Sequence, residues 1–167
     1  MKVKVIIAYI ILCITTPSCS HAQKTEFSKK ALEEQIIAFD GNAIAFQDVL
    51  NQYKGKTLVI ELWASWCGDC VKAMPKIKEL QNNNPEVSYV FISLDKTINK
   101  WKSGIERHQI KGDHYLANNG MNGSFAKAID LDWIPRYIII DKTGKIIVYR
   151  AIETDFEKIN TTLKSLK

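Results

Sequence analysis

Cys67 and Cys70 are the two residues whose type and spacing indicate chemistry. Two thiols separated by two residues can close and reopen a small disulfide, which is a redox switch. A structural disulfide usually ties distant segments together, whereas a pair this close constrains little of the chain. The protein has four cysteines, and we expect the other two, Cys13 and Cys19, to be removed with a leader or, for Cys19, lipidated. The sequence therefore predicts one redox-active pair in the folded body.

The elements around this pair predict a corner between a strand and a helix. Residues 58–64 are apolar except for Glu61, which is typical of a buried strand. The backbone N–H groups and the dipole of a helix N-terminus favour negative charge, and so favour a Cys67 thiolate. The segment after the pair repeats apolar side chains at helical spacing, at Val71, Met74, Ile77 and Leu80.

Residues 1–22 have the pattern of a secretory signal peptide. A short basic start is followed by an apolar run over 5–14 and by small residues that place cleavage after Ala22. In the alternative interpretation the leader is a lipoprotein signal that ends before Cys19, which then carries the lipid. Either pattern predicts export to the periplasm or cell envelope, with a membrane anchor only in the second case.

The rest of the chain predicts an N-terminal arm over 23–39 and one folded domain over 40–167. The arm has helical character, with Leu32, Ile36 and Ile37 on one face. Strands at 57–63 and 87–94 flank the helix after Cys70, which makes a right-handed βαβ unit with parallel strands. The expected elements beyond this unit are a helix over 96–109, a short strand over 114–117, a hairpin with strands at 137–140 and 145–150, and a final helix.

Composition excludes several classes of function. The net charge is only +5, and basic residues alternate with acids along the chain, so no nucleic-acid surface is predicted. Three histidines are too few for an obvious metal site. The sequence therefore predicts neither a metal nor another cofactor.

The stretch from Trp63 to Cys70, WASWCGDC, resembles the active-site stretch of thioredoxin-like proteins. This resemblance covers residues 40–165 and implies a thioredoxin fold, an α/β domain with a central mixed sheet flanked by helices. An extra N-terminal strand at 43–46 and a central αβ insert between Asp95 and Ile129 are similar to those of exported thiol-disulfide oxidoreductases of the TlpA/ResA type, which are related to the AhpC/TSA group.

The resemblance implies a role for each matching residue. Cys67 corresponds to the nucleophilic cysteine and Cys70 to the resolving cysteine. Glu61 corresponds to a buried acid that assists proton transfer, and Pro75 to a proline that kinks the active-site helix. Ile134-Pro135 corresponds to the cis-proline loop that lies against the disulfide and holds the substrate.

Glu61, Trp66 and Pro135 also have simpler interpretations. Glu61 could pair with a lysine at the strand edge, although burying a carboxylate without a purpose is costly. Trp66 could be packing alone, but we expect it to shield the disulfide and to contact partners. Pro135 could be an ordinary proline at a strand edge.

Two residues depart from the family pattern and act in opposite directions. Asp69 stands where the family commonly has proline, and its negative charge opposes a Cys67 thiolate. Arg136 stands where threonine is common after the cis-proline, and its positive charge favours the thiolate. The reduction potential of the pair therefore cannot be transferred from the family.

The function that the sequence predicts is reduction of protein disulfides in the cell envelope, with apocytochrome c among the substrates implied by the resemblance. Such a reductase needs a membrane electron donor. The alternatives are an oxidant of the same fold, a thiol peroxidase, and a thioredoxin-like binding module without turnover.

Overall fold

The computed structural model describes residues 23–167. The predicted leader, its cleavage after Ala22 and the alternative lipid anchor at Cys19 lie outside these residues.

The described residues form a mixed sheet in the order β2-β1-β5-β4-β3-β6-β7. Strands β3, β4 and β5 are parallel, and the remaining neighbours are antiparallel. The strands are β1 Gln35–Ala38, β2 Ala43–Ala45, β3 Leu58–Trp63, β4 Ser88–Ser93, β5 Asp113–Ala117, β6 Arg136–Ile140 and β7 Ile146–Ala151. The helices are α1 Lys29–Glu33, α2 Phe46–Asn51, α3 Gly68–Asn83, α4 Ile98–His108, α5 Ser124–Ala128 and α6 Phe156–Ser165.

Strand β3 lies at the centre of this sheet, and all of its residues are buried. A strand between two paired neighbours with helices over both faces has no solvated side, so its sequence is almost continuously apolar. The predicted α/β fold with a central mixed sheet is confirmed, and so is the parallel βαβ unit of β3, α3 and β4.

The two faces of the sheet carry different helices. Glu61 and Trp63 share one face because strand side chains alternate. On that face the ring of Tyr137 contacts Phe156 of α6, and α6 packs against α3. Helix α4 covers the same face beside Trp63. The other face is covered by α1, α2 and α5 with an aromatic cluster of Phe27, Phe46 and Phe125.

The predicted helical arm is wrong beyond α1. The backbone becomes extended at Glu34, the C-cap of α1, and Ile36 and Ile37 lie on strand β1. This strand pairs antiparallel with β2 and β5, which buries Ile36 completely. A pair of β-branched residues fits such a pleated, buried position better than one face of a short helix. The insert between Asp95 and Ile129 contains α4, β5 and α5, as predicted.

Candidate active site

Cys67 and Cys70 form a disulfide at the corner between β3 and α3, with their Cα atoms 5.3 Å apart. Cys67 is 6% exposed and Cys70 is 0% exposed. Both residues are buried, and only Cys67 keeps any exposed surface. The pair is therefore asymmetric, and a partner meets it from the Cys67 side.

Cys67 is the N-cap of α3, and its backbone is extended there. Its sulfur accepts a hydrogen bond from the backbone N–H of Cys70 at 3.1 Å. In the reduced protein the same N–H and the helix dipole stabilise a negative sulfur more than a neutral one. The cap position therefore favours a Cys67 thiolate.

The loop before β6 lies against the disulfide. The Ile134–Pro135 peptide bond is cis, and both residues are buried. The Cys67 sulfur lies 3.6 Å from the carbonyl oxygen of Ile134. Antiparallel pairing of β6 with β3, which places Arg136 opposite Leu62, brings this loop to the corner.

Glu61 is buried on β3 with an exposed fraction of 1%. One carboxylate oxygen accepts a hydrogen bond from the Tyr137 hydroxyl at 3.3 Å, and the other has no partner among residues 23–167. Burial raises the pKa of Glu61 to about 8, and the hydrogen bond from Tyr137 partly opposes this rise. No lysine in the described part of the chain forms an ion pair with Glu61, so the simpler interpretation lacks its partner there.

Asp95 braces the corner, a role that the sequence reasoning missed. Its carboxylate accepts hydrogen bonds from the Ser65 N–H at 3.0 Å and the Ser65 hydroxyl at 2.7 Å. The Ser93 hydroxyl donates a third at 2.8 Å. Asp95 is buried at the end of β4, so it fixes the turn before Cys67 to the neighbouring strand. The available signal was an aspartate that directly follows an apolar strand.

Gly104 lets helix α4 approach the same corner. A Cβ atom at this position would lie 2.6 Å from the Cβ of Ser65 and 3.2 Å from the ring of Trp63. Glycine inside a helix costs about 1 kcal/mol relative to alanine. An interior glycine in the predicted helix was the signal for this close contact, and the sequence analysis did not use it.

Two exposed indoles adjoin residues of the site in the sequence. Trp66 precedes Cys67 and is 57% exposed, while Trp133 precedes Ile134 and is 54% exposed. Large aromatic side chains that remain exposed are typical of surfaces that contact partners. The sequence reasoning identified Trp66 and missed Trp133.

Asp69 and Arg136, the two departures from the family pattern, lie in different surroundings. Asp69 is in the first turn of α3 and forms an ion pair with Lys72 at 3.5 Å. The buried guanidinium of Arg136 donates to the carbonyls of Ile129 and Asp130 and pairs with Asp132. None of these hydrogen bonds reaches the cysteine pair. The effect of both charges on the thiolate stays a prediction.

Within 23–167 no three His, Cys, Asp or Glu side chains are grouped so that they could hold a metal ion. No helix in that range combines the length and the apolar character needed to cross a bilayer.

A cysteine pair at a strand–helix corner, facing a cis-proline loop on a mixed sheet, defines a thioredoxin-fold thiol-disulfide oxidoreductase. The sequence matches the Redoxin family over residues 40–165, and the chain belongs to that family.

Named relatives agree with this class. The chain is 26% identical over 149 residues to the thiol-disulfide oxidoreductase ResA of Bacillus cereus, a match that covers 88% of this chain and 82% of the relative. A solved structure from Bacteroides vulgatus, assigned as a thiol-disulfide oxidoreductase, is 29% identical with a TM-score of 0.66 over 81% of this chain and 87% of that one. A thiol-disulfide oxidoreductase from Bacteroides fragilis has a TM-score of 0.67 at 23% identity, over 80% of this chain and 96% of that one. The predicted TlpA/ResA type is confirmed.

Proposed function

We propose that this thiol-disulfide oxidoreductase works in the cell envelope and reduces protein disulfides through Cys67 and Cys70. The observation that carries the proposal is the asymmetry of the pair. Cys67 keeps a small exposed surface and accepts a hydrogen bond from a helix N–H, whereas Cys70 has no exposed surface. One sulfur is therefore placed to attack a substrate and the other to complete the exchange.

The first step begins from the reduced pair. The Cys67 thiolate attacks one sulfur of a substrate disulfide, and the substrate S–S bond breaks as the new Cys67–substrate bond forms. The departing substrate sulfur leaves as a thiolate and takes a proton from solvent. Trp66 and the Ile134-Pro135 loop hold the substrate backbone beside Cys67 during this exchange.

The second step releases the substrate. Glu61, on the sheet face that α3 and α6 cover, accepts the proton of the Cys70 thiol through a water molecule. The Cys70 thiolate then attacks the Cys67 sulfur, the mixed disulfide breaks, and the second substrate sulfur leaves as a thiolate. The substrate has gained two electrons, and the Cys67–Cys70 disulfide has re-formed. A dithiol donor must reduce this disulfide before the next turnover.

The location and the partners belong to the same proposal. The leader pattern over 1–22 supports export, with cleavage after Ala22 or lipidation at Cys19. In an oxidising compartment the donor must be a membrane redox protein, because soluble thiols do not hold the pair reduced there. Apocytochrome c and other envelope proteins with accessible disulfides are the proposed substrates, as the resemblance to TlpA/ResA-type proteins implies.

Trapping of the mixed disulfide tests the roles of the two sulfurs. Cys70→Ser should accumulate a covalent complex with a disulfide-containing protein such as insulin, because the second attack is lost. Cys67→Ser should form none and should abolish turnover. Trapping by Cys67→Ser but not by Cys70→Ser would contradict the assignment. If neither the parent protein nor either variant exchanges thiols with the disulfide, the alternative of a binding module without turnover replaces the proposed function.

A further inference from the structure

A groove of about 440 Å³ lies between the active-site corner and helix α4. Ser65 and Trp66 form one wall, and Lys100, Ser103, Gly104 and Arg107 form the other. Trp66 directly precedes Cys67 in the chain, so one wall of the groove is built by the residues that lead into the reactive pair. A chain that presents a disulfide to Cys67 can extend directly into the groove.

The α4 wall is one helical face. Positions 100, 103, 104 and 107 have the spacing that places side chains together on a helix. Gly104 packs against Ser65 at the base of the groove, the small side chain of Ser103 lies beside it, and Lys100 and Arg107 stand on either side. Seven residues of helix span about 10 Å, which is the length of about three residues of extended chain. The groove therefore suits a short extended segment with a cation near each end.

The positive charges on the α4 wall have no carboxylate partner in the groove. No carboxylate lines the groove, and neither Lys100 nor Arg107 forms an ion pair within residues 23–167. Glu106 is on α4 but lies about 100° around the helix from Arg107. Lys102 projects elsewhere, over the ring of Phe39.

On the other side of the active site each of the following cations has a carboxylate partner. On the loop before β6, Asp132 pairs with Arg136 and Arg150, and Asp130 pairs with Lys24. On α3, Asp69 pairs with Lys72. Lys100 and Arg107 differ from these cations in having no carboxylate partner within residues 23–167.

We propose that the groove between Trp66 and α4 binds an acidic extended segment of the substrate protein next to its disulfide, with Lys100 and Arg107 as the residues that select it. The inference rests on the proposed reduction of protein disulfides and adds the chemical class of the preferred substrate. Carboxylates in the bound segment meet the two cations, while its backbone packs along Trp66.

Matched peptides test this selection. Three peptides share one disulfide and differ only in the residues beside it, which are glutamates, glutamines or lysines. We expect the purified protein to reduce the acidic peptide with a kcat/KM about tenfold above that of the neutral one at low ionic strength, since two exposed ion pairs together supply about that factor. The basic peptide should react more slowly than the neutral one. Added salt should shrink all of these differences.

A pair of double variants assigns the effect to the groove. Lys100→Gln with Arg107→Gln should remove the preference, so that the variant reduces the acidic and the neutral peptide at the same rate. The control, Lys158→Gln with Lys164→Gln, removes the same charge from exposed positions on α6 and should keep the preference.

The outcomes separate this inference from the function on which it rests. If the parent protein reduces the acidic and the neutral peptide at equal rates, the groove assignment is overturned. Reduction of the neutral peptide in that experiment still upholds the proposed function. A preference that survives the groove variant, or that the α6 control also loses, would overturn the groove assignment as well. If the neutral peptide is not reduced, the proposed function fails and the groove's role in it falls too.

Discussion

The Tyr137 hydroxyl donates a hydrogen bond of 3.3 Å to the buried carboxylate of Glu61. The two residues lie opposite each other on the adjacent strands β6 and β3. The register of the sheet places both side chains on the face that carries α3 and α6. Burial raises the pKa of Glu61 to about 8, and the Tyr137 hydrogen bond is the one contribution that lowers it. Burial and the Tyr137 hydrogen bond together therefore set the pH at which Glu61 ionises.

Tyr137→Phe should move the pH dependence of the second exchange step upward. The variant loses the hydrogen bond that stabilises the carboxylate, so the pKa of Glu61 rises and a higher pH is needed to ionise it. Rapid-mixing measurements of the rate of mixed-disulfide release at a series of pH values give the midpoint of this pH dependence. Tyr89→Phe is the control, because it removes another buried tyrosine hydroxyl, which donates to the carbonyl of Leu80. An unchanged midpoint in Tyr137→Phe would contradict the role of Tyr137.

Glu61→Gln should change how stability depends on pH. The pKa of Glu61 is about 8 in the folded protein, above its ordinary value of 4.5, so between these pH values the folded protein holds the Glu61 proton and the unfolded chain releases it. The contribution of the Glu61 proton to the free energy of unfolding is therefore complete below pH 4.5, and it is lost as the pH rises through about 8. Glutamine removes this loss, so the oxidised variant should gain up to a few kcal/mol relative to the parent at pH 9. Urea unfolding from pH 5 to pH 9 measures the difference, and parallel curves would contradict it.

Asp95→Asn should loosen the corner that carries Cys67. The carboxylate accepts three hydrogen bonds from Ser65 and Ser93, and an amide has only one acceptor oxygen for them. We expect a loss of about 2 kcal/mol in the free energy of unfolding, because a buried donor is left without a partner. Slower thiol exchange should accompany this loss.

Chemical denaturation and the rate of insulin reduction check both effects of Asp95→Asn. The control is Asp48→Asn, at an exposed position on α2, which should change stability by less than about 0.5 kcal/mol. A variant at Asp95 that is as stable as the parent would show that the corner does not depend on this carboxylate.

Gly104→Ala should destabilise the protein although alanine favours helices. The gain in helix propensity is about 1 kcal/mol, whereas overpacking a tight contact costs about 1–3 kcal/mol. The new Cβ would lie 2.6 Å from the Cβ of Ser65, whose backbone Asp95 holds, so the clash should outweigh the gain. Thermal unfolding compares this variant with Ser103→Ala, which lies on the same helix and is exposed. Stabilisation of Gly104→Ala would contradict the close packing.

The strand–helix corner could be predicted from sequence because its signals are local. About 25 consecutive residues contain all three signals, which are an apolar run with one acid, a pair of cysteines and an apolar repeat at helical spacing. The contacts of Asp95, Gly104 and Tyr137 with this corner join segments that are far apart in the chain. No single-sequence pattern reveals such pairs until the sheet register and the helix packing are known.

Strand β1 also depends on contacts between distant segments, which the sequence pattern does not reveal. Ile36 and Ile37 fit one face of a short helix as well as they fit a strand, and only pairing with β2 and β5 decides between the two. Arg136 likewise follows the cis-proline in sequence, but its charge is held by Asp132 on the opposite face of the sheet from Tyr137. Proximity along the chain did not establish contact with the cysteine pair.

The equilibrium reduction potential of the Cys67–Cys70 pair tests the central claim most directly. It is measured on the purified protein in glutathione or dithiothreitol buffers of known potential. The proposed reductase predicts a value near that of thioredoxin, about −270 mV. A value near about −120 mV would contradict it, because a pair so oxidising would introduce disulfides rather than reduce them.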